Sequence, residues 1–133
     1  MLDSNGIKMK LYQKIASLVV GIKNCKETNN KEWKIKHEKA LKDIERDHLP
    51  NESGIDSGTK IDIDRCRSDK IVLITSFHHM NENGFYDGWT DHEIMITSDF
   101  VYVLDIKISG KNRNNIKDHL HDLFYNALTN DVN

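Results

Sequence analysis

The sequence predicts an α+β fold: an N-terminal helical hairpin, a sheet of about four antiparallel strands and a C-terminal helix. Apolar residues recur with helical period twice before residue 50, alternating or β-rich runs fill residues 60–108, and a last helical stripe follows residue 112. At 133 residues, 38% hydrophobic and 30% charged, the chain suits one domain with one core, read as a tail over 1–8 and a single domain over 9–133.

Each element has its own signal. Leu11, Tyr12, Ile15, Leu18, Val19 and Ile22 share a helix face. That stripe is read as core, with a subunit contact as the alternative. The polar run Glu27-Thr28-Asn29-Asn30 breaks the helix and caps a second one, whose stripe is Trp33, His37, Ala40, Leu41 and Ile44. Pro50 ends it, because the residue before proline is driven from helical angles. A loop is expected over 51–58. Lys60-Ile61-Asp62-Ile63-Asp64 alternates as a strand, 71–77 is a continuous β-rich run, 92–97 alternates again, and 101–108 completes the set. Ser98-Asp99 is short enough for a hairpin and so implies antiparallel pairing. Ile116, Leu120, Leu123, Phe124, Ala127 and Leu128 mark the final helix.

A net charge of −2 argues against a protein that coats long nucleic acid, so any nucleotide contact must come from a local patch. Cys25 and Cys66 show no framework spacing and no CxxC, which points to a reducing interior. Arg65 and Arg67 flank Cys66 and predict a lowered thiol pKa; otherwise they read as a charged strand edge or a second anion contact. Asp3, Ser4 and Asn5 stand where a signal peptide needs an apolar run, and no stretch reaches membrane-spanning length. A soluble intracellular protein is expected.

Ser109-Gly110-Lys111-Asn112-Arg113-Asn114-Asn115-Ile116-Lys117 is the most informative stretch. A helix start already carries partial positive charge and unpaired N–H groups, so Lys111, Arg113 and Lys117 there imply a phosphate or carboxylate guest. Arg113 and Lys117 are spaced i, i+4 on one face. The alternative is solvated cations or pairing with Asp118 and Asp122.

Residues 77–92 read as a long loop between strands. They hold four of the ten aromatics and three of the seven histidines. Phe85, Tyr86 or Trp89 offers a face on which a base stacks, and Asn81 or Asn83 an amide for its edge. A self-packed loop is the alternative. His78, His79 and His92 invite a metal, but adjacent strand residues point to opposite faces and no metal-site spacing is present, so no metal or cofactor is predicted. No nucleophile motif is found, and no catalytic residue is assigned.

The blocks Ser76-Phe77-His78-His79-Met80-Asn81-Glu82-Asn83-Gly84-Phe85-Tyr86-Asp87-Gly88-Trp89-Thr90-Asp91-His92 and Ile108-Ser109-Gly110-Lys111-Asn112-Arg113-Asn114-Asn115-Ile116-Lys117-Asp118 resemble a family of short phage and prophage proteins. The layout is also similar to that of the Thoeris anti-defence sponges, phage proteins that assemble as oligomers and bind cyclic nucleotide signals between subunits. That resemblance implies a non-enzymatic, homo-oligomeric protein of the host cytoplasm that sequesters a small nucleotide messenger. Matched by chemical role, Phe85, Tyr86 or Trp89 would stack on the base, Asn81 or Asn83 would read its edge, and Lys111, Arg113 and Lys117 would hold phosphate. The alternatives are a protein inhibitor of a host defence nuclease, such as a CRISPR effector, and a small metal-dependent hydrolase built on His78, His79 and His92.

Overall fold

Two adjacent asparagines divide the helical part of the chain. Asn29 takes the left-handed conformation, φ 56°, that ends α1 (Leu11–Thr28), and the Asn30 side chain accepts from Trp33 N at 3.3 Å to cap α2 (Lys31–Asp47). The structure, a computed structural model, describes residues 9–51, 55–108 and 116–132. The predicted tail and residues 109–115, where the last helix was expected to begin, lie outside them.

The first helical stripe is consumed within the subunit: Leu11, Ile15, Leu18, Val19 and Ile22 are buried. In α2 only Leu41 and Ile44 of the expected stripe are buried. Trp33 is 51% exposed, with Lys36 Nζ 4.7 Å from its ring centroid, and so lies toward solvent and outside the core. The two helices approach through Gly21, where a Cβ would stand 2.9 Å from His37 Nε2.

Four antiparallel strands follow in the order β2 (Ile55–Ile61), β3 (Lys70–Met80), β4 (Tyr86–Thr97), β5 (Val101–Ile108); β1 (Met9–Lys10) pairs separately with β6 (Asp131–Val132). β2 starts inside the expected loop and stops at Ile61, where a 3₁₀ turn, Ile63–Arg65, replaces the rest of the predicted alternating strand. The turn lets Ile61 and Ile63 both pack on the core and tucks in Cys66, whose Sγ accepts from Val72 N at 3.2 Å. The segment read as a long loop is instead a hairpin. β3 and β4 pair through it as far as Met80↔Tyr86, leaving 81–85 as the tip.

The α3 helix (Ile116–Thr129) buries Leu120, Phe124 and Leu128 completely. Its end is tied to the start of α1 by Leu11 N donating to Asn130 O at 3.0 Å and by a Lys10–Asp131 ion pair at 3.0 Å. The helices contribute to one core with Ile71, Leu73, Ile94 and Ile96 of the sheet, which alternation places on a single face. Among the described residues, no helix is long and apolar enough to cross a membrane.

This division of labour is testable by urea unfolding. Phe124→Ala should lower stability by about 3–5 kcal/mol. Trp33→Ala should cost no more than about 1 kcal/mol, since half of the side chain is already in water.

Candidate functional site

Along the helix-facing side of β3 and β4 the residue chemistry changes midway. Ile71↔Ile96 and Leu73↔Ile94 are apolar pairs, whereas Thr75↔His92 and Phe77↔Thr90 bring polar groups into the same buried row. His92, Thr90 and Thr75 are at most 1% exposed. Buried polar atoms need partners, and this row supplies most of them.

His92 Nε2 lies 2.6 Å from Thr90 Oγ1, which lies 2.9 Å from His79 Nε2. On the neighbouring strand, Asp105 Oδ1 stands 2.8 Å from His92 Nδ1, off the line of a well-aligned ring hydrogen bond, and Asp105 Oδ2 is 3.4 Å from Lys117 Nζ on α3. A carboxylate beside Nδ1 favours the tautomer with its proton there. His92 Nε2 then accepts from the Thr90 hydroxyl, whose oxygen accepts from His79 Nε2–H. The chain of contacts thus runs in one direction from His79 to Asp105. Thr75 Oγ1 is buried with no partner among the described residues.

Burial holds the His92 imidazole below its ordinary 6.5; Asp105 opposes that shift, Lys117 reinforces it, and Asp91 adds a smaller opposing pull. The Thr90–His92–Asp105 connectivity is that of an activated hydroxyl, but Thr90 is 1% exposed and its oxygen lies between two imidazoles. It is placed to hold strands together and is closed to substrate. Burial also raises the Cys66 thiol, against the lowered value expected from its sequence neighbours; Arg65 instead pairs with Glu93 across the sheet.

The predicted ligand residues are distributed as follows. Lys111 and Arg113 lie outside the described residues. Lys117 sits in the first turn of α3, half exposed and paired with Asp105. Phe85 and Tyr86 are 69% and 55% exposed at the hairpin tip. The tip is built by Asn81, whose side-chain oxygen accepts from Asn83 N at 2.9 Å and Phe85 N at 3.0 Å, while Gly84 supplies a φ of 81°. Turn-making therefore occupies the Asn81 amide oxygen and leaves Asn83 as the better-placed edge reader. Trp89 pairs in register with His78, and alternation puts both on the face away from the helices, opposite Lys117. His78 and His79 fall on opposite faces, with the His78 ring 5.3 Å from Tyr86 and the His79 ring 5.2 Å from Phe77. Among the described residues, no group of three or more His, Cys, Asp or Glu is arranged to hold a metal.

Lys117 meets Asp105 opposite His92 in the middle of β4, six residues and about 20 Å along the strand from Tyr86, and the tip projects beyond the end of β5. The last β5 pairing is Ile108↔Thr90, so β4 continues from Thr90 back to Tyr86, an overhang of about 13 Å past the point where β5 stops. A separate cleft of about 330 Å³ lies between α1 and the start of β3, with Tyr12, Gln13, Ser17, Asp69 and Lys70 in its lining, and contains none of the predicted residues. Asp105, Thr90 and Thr75 carried no individual signal in the sequence; only strand register reveals them. No protein-family model, curated protein or solved structure matches this chain.

Two measurements probe the network. Thr90→Val strands two imidazole nitrogens and should cost about 2–4 kcal/mol, whereas Thr75→Val removes an unpartnered hydroxyl and should leave stability unchanged or higher by up to about 1 kcal/mol. Urea unfolding of the two variants compares them. Because His92 is depressed in the folded state, the unfolded chain binds its proton more tightly. Its contribution is full above the ordinary value of 6.5 and is lost as pH falls through that value toward the depressed one. Unfolding midpoints should decline across that window, and His92→Gln should flatten the decline; equal slopes in the two proteins would refute the assignment.

Proposed function

We propose that this protein is a non-catalytic binding protein that sequesters a small anionic, nucleotide-derived messenger, acting as a phage anti-defence sponge in the host cytoplasm and working as a homo-oligomer. The observation that carries the reading is the hairpin overhang. It holds two unburied rings, Phe85 and Tyr86, beyond the end of β5. Exposed aromatic rings at a tip gain nothing from the core, but they gain about 1–3 kcal/mol by stacking on a base. Lys117 supplies one cation on the helix side of the sheet, and Lys111 and Arg113 precede it in sequence.

The position of Trp89 adds a constraint. With Trp89 on the outer face and Lys117 on the helix side, a site between two copies would let one ligand touch both. No general base or electrophile is required, and the enclosed Thr90 hydroxyl offers none to the outside.

Isothermal titration against a panel of cyclic mononucleotides, cyclic dinucleotides and cyclic ADP-ribose isomers tests the reading. One member should bind with measurable heat. Phe85→Ala with Tyr86→Ala should weaken it by about 10- to 1,000-fold, and Lys117→Gln by about 10-fold. Silence across the panel with folded protein would end the proposal.

A further inference from the structure

On the outer side of the sheet, away from the helices, Phe100, Tyr102, Leu104 and Ile106 are 57%, 44%, 43% and 56% exposed, in sequence positions that follow one another along β5 and the turn before it. The Phe100 and Tyr102 rings stand 5.6 Å apart, so the stripe begins as a contiguous surface. Tyr102 and Leu104 are cross-strand partners of Met95 and Glu93, which places them on the face opposite Val103 and the core. We propose that this stripe is a homodimer interface, packed face to face on the same stripe of a second copy. The inference rests on the assembly part of the reading above and is independent of its ligand.

Area selects the occupant. For large side chains of about 150–250 Å² each, these exposures leave roughly 400 Å² of apolar surface, within the range of about 300–600 Å² that marks functional patches. Two stripes together withdraw roughly 800 Å². Interfaces are about 57–65% apolar, so the whole contact would reach roughly 1,200–1,400 Å², at the lower bound of about 1,200 Å² for a stable complex. A second copy is thus sufficient to cover the patch. The patch also suits a two-fold axis, because Leu104 lies midway between Tyr102 and Ile106 and would meet its own counterpart.

Among the described residues, the two carboxylates that β4 places beside this stripe have partners. Glu93 is 7% exposed and paired with Arg65, and Asp91 accepts from the Ser76 hydroxyl. Edge-to-edge pairing of β5 is the less suitable geometry. The register passes from Asp91↔Lys107 to His92↔Asp105, which leaves Ile106 as an extra residue. Such a bulge turns an edge away from strand addition while leaving its side chain outward. Leu11, Ile15, Leu18, Val19 and Ile22 of the first helix are already buried within the subunit.

Light scattering on the full chain, with dilution to follow dissociation, tests the proposal. The wild-type protein should show twice the chain mass. Leu104→Lys, which sets like charges opposite each other, and separately Tyr102→Glu, which buries an unpaired carboxylate against an apolar surface, should each raise the dimer dissociation constant at least about 100-fold. Both positions are exposed, so circular dichroism and the urea midpoint should stay at wild-type values. A single-chain mass for wild-type protein at the highest concentration, or dimers that persist in both folded variants, would overturn it. A dimer without nucleotide binding would leave this inference standing and remove only the ligand reading.

Discussion

The two-residue alternation of the β3–β4 hairpin sets the rest of the structure, because one continuous buried row must serve as hydrophobic core at one end and as polar network at the other. At the apolar end, Ile71, Leu73, Ile94 and Ile96 meet the helices through non-directional burial. At the polar end the same geometry encloses Thr90 and His92, which are stable there only with directed partners. Those partners come from elsewhere in the sheet: His79 on β3 and Asp105 on β5. Asp105 then reaches Lys117 in the first described turn of α3. A slip of one residue in register would expose Ile94 and break the His92–Asp105 contact together, so core and network enforce the same pairing.

Much of this was legible in the sequence where periodicity reports burial directly. The α1 stripe, the α3 stripe and the limits of β5 follow from apolar spacing, since one face of each meets the core. The hairpin was harder to see because its buried face carries Thr75, His79, Thr90 and His92, polar residues that hide the alternation. The expected strand over 60–64 failed for a different reason. Isoleucines two apart pack equally well from a 3₁₀ turn, and the chain turns there to bury Cys66. Cys66 also shows why sequence neighbours mislead about pKa: Arg65 points to Glu93, and desolvation dominates the thiol.

The candidate site was legible only in part. The rings at the tip were singled out by composition, whereas Asn81, read there as reaching a base edge, has its side-chain oxygen taken up by the turn. The His92–Asp105–Lys117 linkage spans two strands and a helix, and such a contact is set by register, which local pattern does not encode. The separation of Trp89 from Lys117 is likewise a matter of strand parity. A single residue of alternation decides whether a ring and a cation share a face.

That linkage bears on how readily Lys117 serves an anion. Its pairing with Asp105 is long, 3.4 Å, and half exposed, a geometry worth about 0–1 kcal/mol. A charge-assisted contact to phosphate contributes about 1.5–3 kcal/mol. A phosphate arriving at the start of α3 would therefore outcompete Asp105 for the ammonium group at a cost below about tenfold in affinity. Asp105 would keep a partner in His92, 2.8 Å away, so the displaced carboxylate is not left alone. With Lys117 drawn off, one of the influences that depress His92 weakens, and the imidazole moves back toward its ordinary value. The same carboxylate that pairs with the cation in the free protein thus releases it while staying partly solvated beside His92.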